Sequence, residues 1–552
     1  MIVDLETILL FLLAAVVVIV STRWVAERTG LPAAALLTVI GIGYALLPGP
    51  NVTLDPAFVL TFVIPPLLYS AALDSSLLAI RRHLRTVVSL SVALVLATAL
   101  LIGAGFHWFV SGATLAAGIA VGAAVAPPDP VAALAVGRKV GLPPRLITLI
   151  QGEGLLNDAT ALTILSVAVA AAVGGGFSAP AAVGQFLLAA AGGVLIGVLV
   201  AYGVRLLRPL TTDPLAANAI SLATPFVAYL IGEQLHVSGV LAVVVAGLIV
   251  GHNAPRAGSG ASRLQTSAVW RLVDFLLEGC VFLLIGQQFP QVVRGLLQYD
   301  ASTVVIAVAI TVGVVLLFRP LWLMATQSLP RSLHTRLGGD SDLANPTARG
   351  RRNAERLTGR EVVALSWSGT RGVISLAAIF TIPLVTDSGA PFPDRDLLLF
   401  CTFVVVIITL VGQGLTFAPL VRLLGLRANT IDQARLRNEA RAASVEAALA
   451  RLDELEELEE DEDAEAIAAM RGHLHTRLAR YQERIDLLDT ADSPTMPVSP
   501  RYEAAVRIRH TAIDAQRAEL VRWRDAGRLP DEGLRVLERE LDHEERLLPD
   551  RP

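Results

Sequence analysis

The sequence predicts an all-α polytopic membrane protein of about thirteen transmembrane helices, followed by a C-terminal helical cytoplasmic tail. Three observations predict it. Of 552 residues, 54% are hydrophobic and 17% charged, where a soluble chain runs at roughly 25% charged, and the mean hydropathy is +0.60. The apolar residues are gathered into runs of membrane-spanning length. The charge is also split: residues 1–430 carry 26 Lys+Arg and 20 Asp+Glu (+6), residues 431–552 carry 19 and 29 (−10), and together they make −4. An apolar, slightly basic body, 1–425, therefore precedes an acidic tail, 426–552. This composition excludes a single soluble domain, a nucleic-acid binder and, with two cysteines, a secreted disulfide scaffold. Cys280 and Cys401 sit in apolar runs and read as buried small hydrophobes.

A bilayer core of ~30 Å takes roughly 20 residues of apolar helix. The segments that qualify are 6–22, 31–48, 54–73, 87–109, 112–137, 146–173, 181–204, 215–232, 237–251, 272–289, 302–325, 361–384 and 397–420. Many contain Gly and Pro, as membrane helices tolerate. The first segment is preceded by Asp4 and Glu6, not by a basic region, so a cleavable signal peptide is not expected. Alternate loops differ in charge. One set holds Arg23, Arg28, Arg81, Arg82, Arg85, Arg138, Lys139, Arg145, Arg205, Arg208, Arg256, Arg263 and Arg271, with seven more arginines in the loop 326–360; the other holds Arg294, Arg395 and little else. The positive-inside rule then places the N-terminus outside and the C-terminus in the cytoplasm.

The Gly/Arg/Asn-rich loop 326–360 is poorly periodic, and mobility is expected there. In the tail, Ile467, Met470, Leu474, Leu478, Tyr481, Ile485 and Leu488 recur at spacings of three and four, an amphipathic helix. An acidic run, Asp453–Glu465, precedes it, and a second helical stretch, roughly 501–547, follows a break at Ser493–Pro500. A solvated helical appendage and a regulatory or dimer-contacting domain are both open readings.

The informative residues are the charges that lipid makes costly. An acid at the centre of a membrane helix costs ~2.5–3.5 kcal/mol on the insertion scale, and such groups usually mark an ion or proton path. Asp129, Glu153, Asp158 and Arg371 lie within or close to apolar spans; Asp274 and Glu278 share the tenth; Asp74 and Glu233 lie near span ends, where interfacial charge is unremarkable. Asp129 stands in Ala126-Pro-Pro-Asp-Pro130. Three prolines in four positions cannot continue a helix, so the fifth span should break at the carboxylate, with freed carbonyls facing what Asp129 faces. Glu153 and Asn157 are i,i+4 on the sixth span, and Asp158 points about 100° further round. Asp158 can offer oxygens to a hard cation, while Asn157 donates and accepts without titrating. Glu153 needs a counter-charge, and Arg371, in Ser368-Gly-Thr-Arg-Gly372, is the expected partner across spans six and twelve. Those glycines permit local unwinding, which makes span twelve the counterpart of broken span five and suits an inverted repeat.

These residues resemble the monovalent cation:proton antiporter-1 family, the bacterial sodium/proton exchangers of NhaP/NHE type. The resemblance runs through Pro65-Pro-Leu-Leu-Tyr69, Ala126-Pro-Pro-Asp129-Pro-Val-Ala, Gly152-Glu153-Gly-Leu-Leu-Asn157-Asp158-Ala, Ser238 to Gly247, Gly369-Thr-Arg371-Gly372-Val-Ile-Ser375 and Gln413-Gly-Leu-Thr416, and so covers almost all of 1–425. It implies a homodimeric antiporter of the plasma membrane, built from inverted repeats around two crossed broken helices. Asp158 then matches the ion-binding Asp, Asn157 its polar neighbour, Asp129 the Asp at the helix break, and Glu153 with Arg371 a structural salt bridge. An Asn-Asp pair implies electroneutral exchange of one cation for one proton. Pro128 stands where many members have Thr, Ser70 where many have an acid, and Gly154 where Ser is common; all three replacements remove possible cation ligands or a nearby charge and bear on ion choice. Asp158, Asp129, Asn157 and Pro128, which keeps a carbonyl, are the candidate cation- and proton-binding residues, and Ser70 and Glu278 are secondary candidates for the ion path.

The expected function is exchange of Na⁺ or Li⁺ for H⁺ by alternating access, with cation and proton competing for Asp158, and pH homeostasis as its use. The expected partners are membrane lipid, monovalent cations, protons, a second copy and an unidentified ligand of the tail, with no cofactor and no nucleic acid. A K⁺/H⁺ antiporter of the same fold and a membrane sensor keeping that fold are the alternatives. An intramembrane aspartyl protease does not fit, since its expected Tyr-Asp and Gly-any-Gly-Asp contexts are replaced by Pro-Asp-Pro and Asn-Asp-Ala. A channel does not fit either, since no re-entrant filter sequence is visible.

Overall fold

The computed structural model describes residues 5–47, 58–174, 179–210, 213–256, 260–328, 357–428, 430–456, 464–489 and 500–545. The chain divides into two compact units, Met1–Ala428 and Asn429–Pro552. Among the described residues the structure is helical, with a single isolated bridge between Val385 and Pro391.

The first unit opens with α1 (Leu5–Thr29) and α2 (Ala33–Ala45). A π turn at Val59–Val63 leads into α3 (Ile64–Leu73). Ser76 caps α4 (Leu77–Arg82), and α5 (Leu84–Val88) joins α6 (Val95–Phe109) through a π turn at Ser89–Leu94. Next come α7 (Leu115–Val125) and α8 (Pro130–Val140), the two halves of the proline-broken span. Gly141, at φ 75°, closes α8 in the left-handed conformation that a residue without a Cβ adopts freely. Then follow α9 (Pro144–Val173), α10 (Ala179–Leu207), α11 (Pro214–Gln234), α12 (Gly239–Asn253), α13 (Gly260–Gly295) and α14 (Ala301–Ser328). The second broken span is α15 (Gly359–Trp367), started by a Thr358–Glu361 capping box, and α16 (Val373–Phe380). The unit ends with α17 (Arg395–Ile407), a π turn at Ile408–Gln413 and α18 (Gly414–Leu423).

Six of the described helices are long and apolar enough to cross a membrane by length and composition, among them Leu84–Phe109, Pro144–Val173 and Arg395–Leu423. The broken spans fall short individually because each break divides one apolar run into two short helices. α13 packs against α2 at Gly41 and Gly286, where a Cβ on either residue would collide with the backbone of the other helix. This is the small-residue contact that lets membrane helices approach. Cys401 is buried and Cys280 half-buried, both free.

The second unit contains α19 (Thr430–Glu456), α20 (Ala464–Asp489), α21 (Pro500–Asp525) and α22 (Asp531–Glu545). Ile467, Leu474 and Leu488 face inward, as the periodicity predicts, but Met470 is 52% exposed. Arg471 ties α20 to Asp453 (2.8 Å) and Glu456 (2.5 Å) of α19, and Arg517 ties α21 to Asp542 (2.7 Å) of α22. The stretch expected as one helix over 501–547 is two, because Gly527 turns at φ 69° and Pro530 cannot extend α21. Most of the 326–360 loop and the middle of the Asp453–Glu465 run lie outside the described residues.

Candidate ion-binding site

The site forms where the two breaks meet. The Asp129 amide donates to the Thr370 carbonyl at 2.7 Å, and the Thr370 hydroxyl donates to the Asp129 carbonyl at 2.9 Å. This reciprocal pair crosses the Ala126–Asp129 break with the Ser368–Gly372 break. Asp129 Oδ1 accepts from the Val131 amide at 2.9 Å and so caps α8, whose first position is Pro130. Its other oxygen, Oδ2, lies against Gly372, where any Cβ would collide with it.

α9 runs past the crossing and presents three polar residues, all buried: Glu153, Asn157 and Asp158. Asn157 Nδ2 donates to the Pro128 carbonyl at 2.8 Å, while its Oδ1 is buried with no hydrogen-bond partner. Asp158 is 5% exposed, and among the described residues its carboxylate makes no hydrogen bond and no ion pair. The carboxylates of Asp129 and Asp158 are close enough to repel one another. Gly154 fits against the ring of Pro130, and a Cβ there would collide with it, which is a packing reason for glycine where the family often has Ser.

The expected Glu153–Arg371 salt bridge is not the pairing the structure makes. Glu153 forms a bidentate pair with Arg319 of α14, Nη2 to Oε2 at 2.9 Å and Nη1 to Oε1. Pro128, Pro130, Ile150 and Ser368 wall this pair in. Arg319 also donates to the Leu365 carbonyl through Nε (3.2 Å) and Nη2 (3.0 Å). Arg371 instead binds carbonyls: Val125 through Nε at 2.9 Å, Ala126 through Nη2 at 3.2 Å, and Gly369 through Nη1. Its own amide donates to Thr409 Oγ1 at 3.0 Å. Each half-helix that ends at the crossing therefore has a buried arginine on its carbonyl end, Arg371 on α7 and Arg319 on α15, where the helix dipole is negative.

Two expectations change as a result. Arg319, an arginine inside the apolar run of α14, is not among the residues expected from sequence, although the cost argument applied to Arg371 singles it out equally. Four carbonyls at the break are also not left facing a cation: Arg371 takes those of Val125 and Ala126, Asn157 that of Pro128, and Thr370 that of Asp129. Among the side-chain oxygens at the crossing, the Asp158 carboxylate, Asn157 Oδ1 and Asp129 Oδ2 accept no hydrogen bond from the described residues. Around the crossing, Asp129, Glu153 and Asp158 against Arg319 and Arg371 give −3 + 2 = −1.

Of the secondary candidates, Ser70 Oγ donates to Asp274 Oδ2 at 2.5 Å, joining α3 to α13, while Asp274 Oδ1 is buried without a partner. Glu278 lies one turn further along α13 and within Coulombic range of both Asp274 and Asp129. Glu233 sits in the last turn of α11, and Asp74 is exposed at the end of α3.

Crossed, interrupted helices with buried carboxylates at the crossing, inside a bundle of apolar helices, define a secondary ion transporter. The chain belongs to the sodium/hydrogen exchanger family: the family model described as "Sodium/hydrogen exchanger, transmembrane" matches residues 12–423. It is 34% identical over 549 residues to a protein called an uncharacterised Na⁺/H⁺ exchanger of Mycobacterium tuberculosis, covering 98% of this chain and 95% of that one. It is 31% identical to the sodium, potassium, lithium and rubidium/H⁺ antiporter of Bacillus subtilis, over 69% of this chain and 56% of that one. The fold is similar to the sodium proton antiporter MjNhaP1 of Methanocaldococcus jannaschii, with a TM-score of 0.57 and 18% identity over 75% of this chain and 98% of that one. The protein is thus a multi-pass membrane antiporter of cations and protons, and not an enzyme.

Proposed function

We propose that the protein exchanges Na⁺ or Li⁺ for H⁺, one for one, with cation and proton competing for Asp158. The observation that carries this reading is the buried Asp158 carboxylate without a protein partner, beside the unpartnered Asn157 Oδ1. A carboxylate so placed is strongly disfavoured as a bare charge, and either one proton or one monovalent cation offsets it. The loaded site can then move across the barrier while the empty, charged site cannot, so exchange needs no second coupled site. Asp129 Oδ2, Asn157 Oδ1 and the Asp158 carboxylate are the ligands for the transported cation, all hard oxygens suited to Na⁺ or Li⁺. In this reading Pro128 acts by holding Asn157, and Glu153 with Arg319 fixes α9 against α14.

The same reading has the antiporter in the plasma membrane as a homodimer, N-terminus outside, with the acidic tail a cytoplasmic regulatory or dimer-contacting domain. The arginine asymmetry of the loops supports that orientation.

Asp158→Asn should abolish exchange in proteoliposomes while the protein still inserts and melts as the wild type does; transport at the wild-type rate would overturn the assignment. K⁺/H⁺ exchange is the second reading, favoured by the Bacillus subtilis relative, whose name includes potassium. Dye-quench assays in everted vesicles, titrating Na⁺, Li⁺ and K⁺ from acid to alkaline pH, separate the two.

A further inference from the structure

One half of each broken span lies between the crossing and the segment Leu424–Ala428, which leads from α18 toward the tail. α8 starts at the crossing, where Asp129 caps it, and closes at Gly141. The Gly141 carbonyl accepts from the Ala428 amide at 2.7 Å. α15 runs the other way, from its Thr358 cap to the crossing. Arg360, in its first turn, donates to the Leu424 carbonyl at 3.4 Å. Trp367, its last residue, donates through Nε1 to Thr416 Oγ1 of α18 at 2.7 Å. α18 and the segment after it therefore hold the far ends of both half-helices.

Three features give this arrangement a consequence for the ion site. The first is packing. Leu424 and Leu426 pack against a core cluster separate from the main one, which gathers Ala133 of α8, Val362 and Leu365 of α15, and Phe417 and Val421 of α18. The second is rigidity. α8 is eleven residues of unbroken helix, about 16 Å long, with Asp129 at one end and the Ala428 bond at the other. A close-packed interior transmits strain and does not absorb it, so a displacement at Gly141 reaches Asp129. The third is the lack of slack. α19 begins at Thr430, so Asn429 alone separates the Ala428 bond from the first helix of the tail.

We infer that Leu424–Ala428 is a strap that positions Asp129 through α8 and carries the state of the tail to the ion site. This rests on the reading of Asp129 as a cation ligand. With the strap bonded, α8 is held at both ends and Asp129 Oδ2 stays against Gly372. With the bond lost, the Gly141 end moves, Asp129 moves with it, and cation affinity falls while the loaded site still crosses the barrier. Ala428 is thus a positioning residue, acting through its backbone amide from the far end of a half-helix.

The test uses the full chain. Ala428→Pro deletes the amide that bonds Gly141, whereas Ala428→Gly keeps it. In the purified protein, Ala428→Pro should speed hydrogen exchange in the last turns of α8. In everted vesicles it should raise the apparent KM for Na⁺ roughly three- to tenfold with the maximal rate little changed. Ala428→Gly should match the wild type in both measurements. Arg360→Ala, which removes the longer bond, should act in the same direction and more weakly. Leu474→Asp puts a charge on the buried side of α20 and so perturbs the tail. It should shift KM in the otherwise wild-type chain, and leave KM unshifted once Gly-Ser-Gly-Ser is inserted between Ala428 and Asn429. Unchanged α8 exchange and KM in both Ala428→Pro and Arg360→Ala would overturn the strap. A Leu474→Asp shift that survives the insertion, or no shift at all, would overturn its link to the tail. Hydrogen exchange needs no transport, so it judges the strap separately; a wild type that carries no cation would instead refute the exchange function proposed above.

Discussion

The two broken spans are built on the same plan and differ in the sign of the charge at the break. The α7–α8 break carries Asp129, whose carboxylate caps the half-helix that leaves the crossing. The α15–α16 break carries Arg371, whose guanidinium covers the carbonyl end of the opposite span's arriving half-helix. Asp129 keeps one oxygen open toward Gly372, whereas Arg371 is fully engaged by carbonyls. The acidic break is therefore suited to exchange ligands, and the basic break to hold the crossing in place. Breaking the first should damage transport, and breaking the second should damage stability.

Arg319→Ala tests the stabilising side most severely. It leaves Glu153 charged and unpaired in a buried site and uncovers the Leu365 carbonyl, so a loss of about 3–5 kcal/mol is expected, read as a fall in melting temperature and in folded yield. Arg319→Ala combined with Glu153→Gln should recover part of that loss. Arg371→Ala strands no acid and should cost less, about 1–3 kcal/mol. A double-mutant cycle should show Glu153 coupled strongly to Arg319 and weakly to Arg371; equal couplings would restore the pairing that the sequence suggested.

Gly372→Ala probes the acidic side. Its Cβ displaces the open Asp129 oxygen, so the apparent KM for the cation should rise roughly tenfold or more while the melting temperature moves little. A large loss of stability with unchanged KM would mean that Gly372 serves packing alone. Asn157→Asp replaces the donor to the Pro128 carbonyl with a group that can donate only when protonated. Transport by that variant should therefore fall more steeply as pH rises than in the wild type, and parallel pH profiles would count against the assigned role. Thr370→Val removes one hydrogen bond from the crossing and should cost about 1 kcal/mol, measured by chemical unfolding or thermal melt.

Much of this was legible in the chain. Asp129 sits among three prolines, and proline has no amide to continue a helix, so the first break was fixed locally. Asp158 and Asn157 stood out because lipid makes a polar pair costly wherever it occurs. Arg371 stood out for the same reason, but its partner did not follow from it. A counter-charge is chosen by which helices touch, and α9 meets α14 through a chain separation of 166 residues. Arg319 had the same signal as Arg371, an arginine inside an apolar run, and was hidden by its position near the end of its span. The fate of the Val125, Ala126, Pro128 and Asp129 carbonyls was also illegible, since each is taken by a donor from another span.

The sequence by itself determined the membrane-spanning body, the acidic helical tail, the proline-broken helix and the identity of the buried carboxylates, because propensity, hydropathy and the cost of charge in lipid act locally. Only the tertiary structure decided that Glu153 belongs to Arg319, that Arg371 covers the end of α7, and that Asp158 is left without a partner. Pairing across a bundle depends on which helices come within hydrogen-bonding distance, and residue spacing along one chain does not encode that distance.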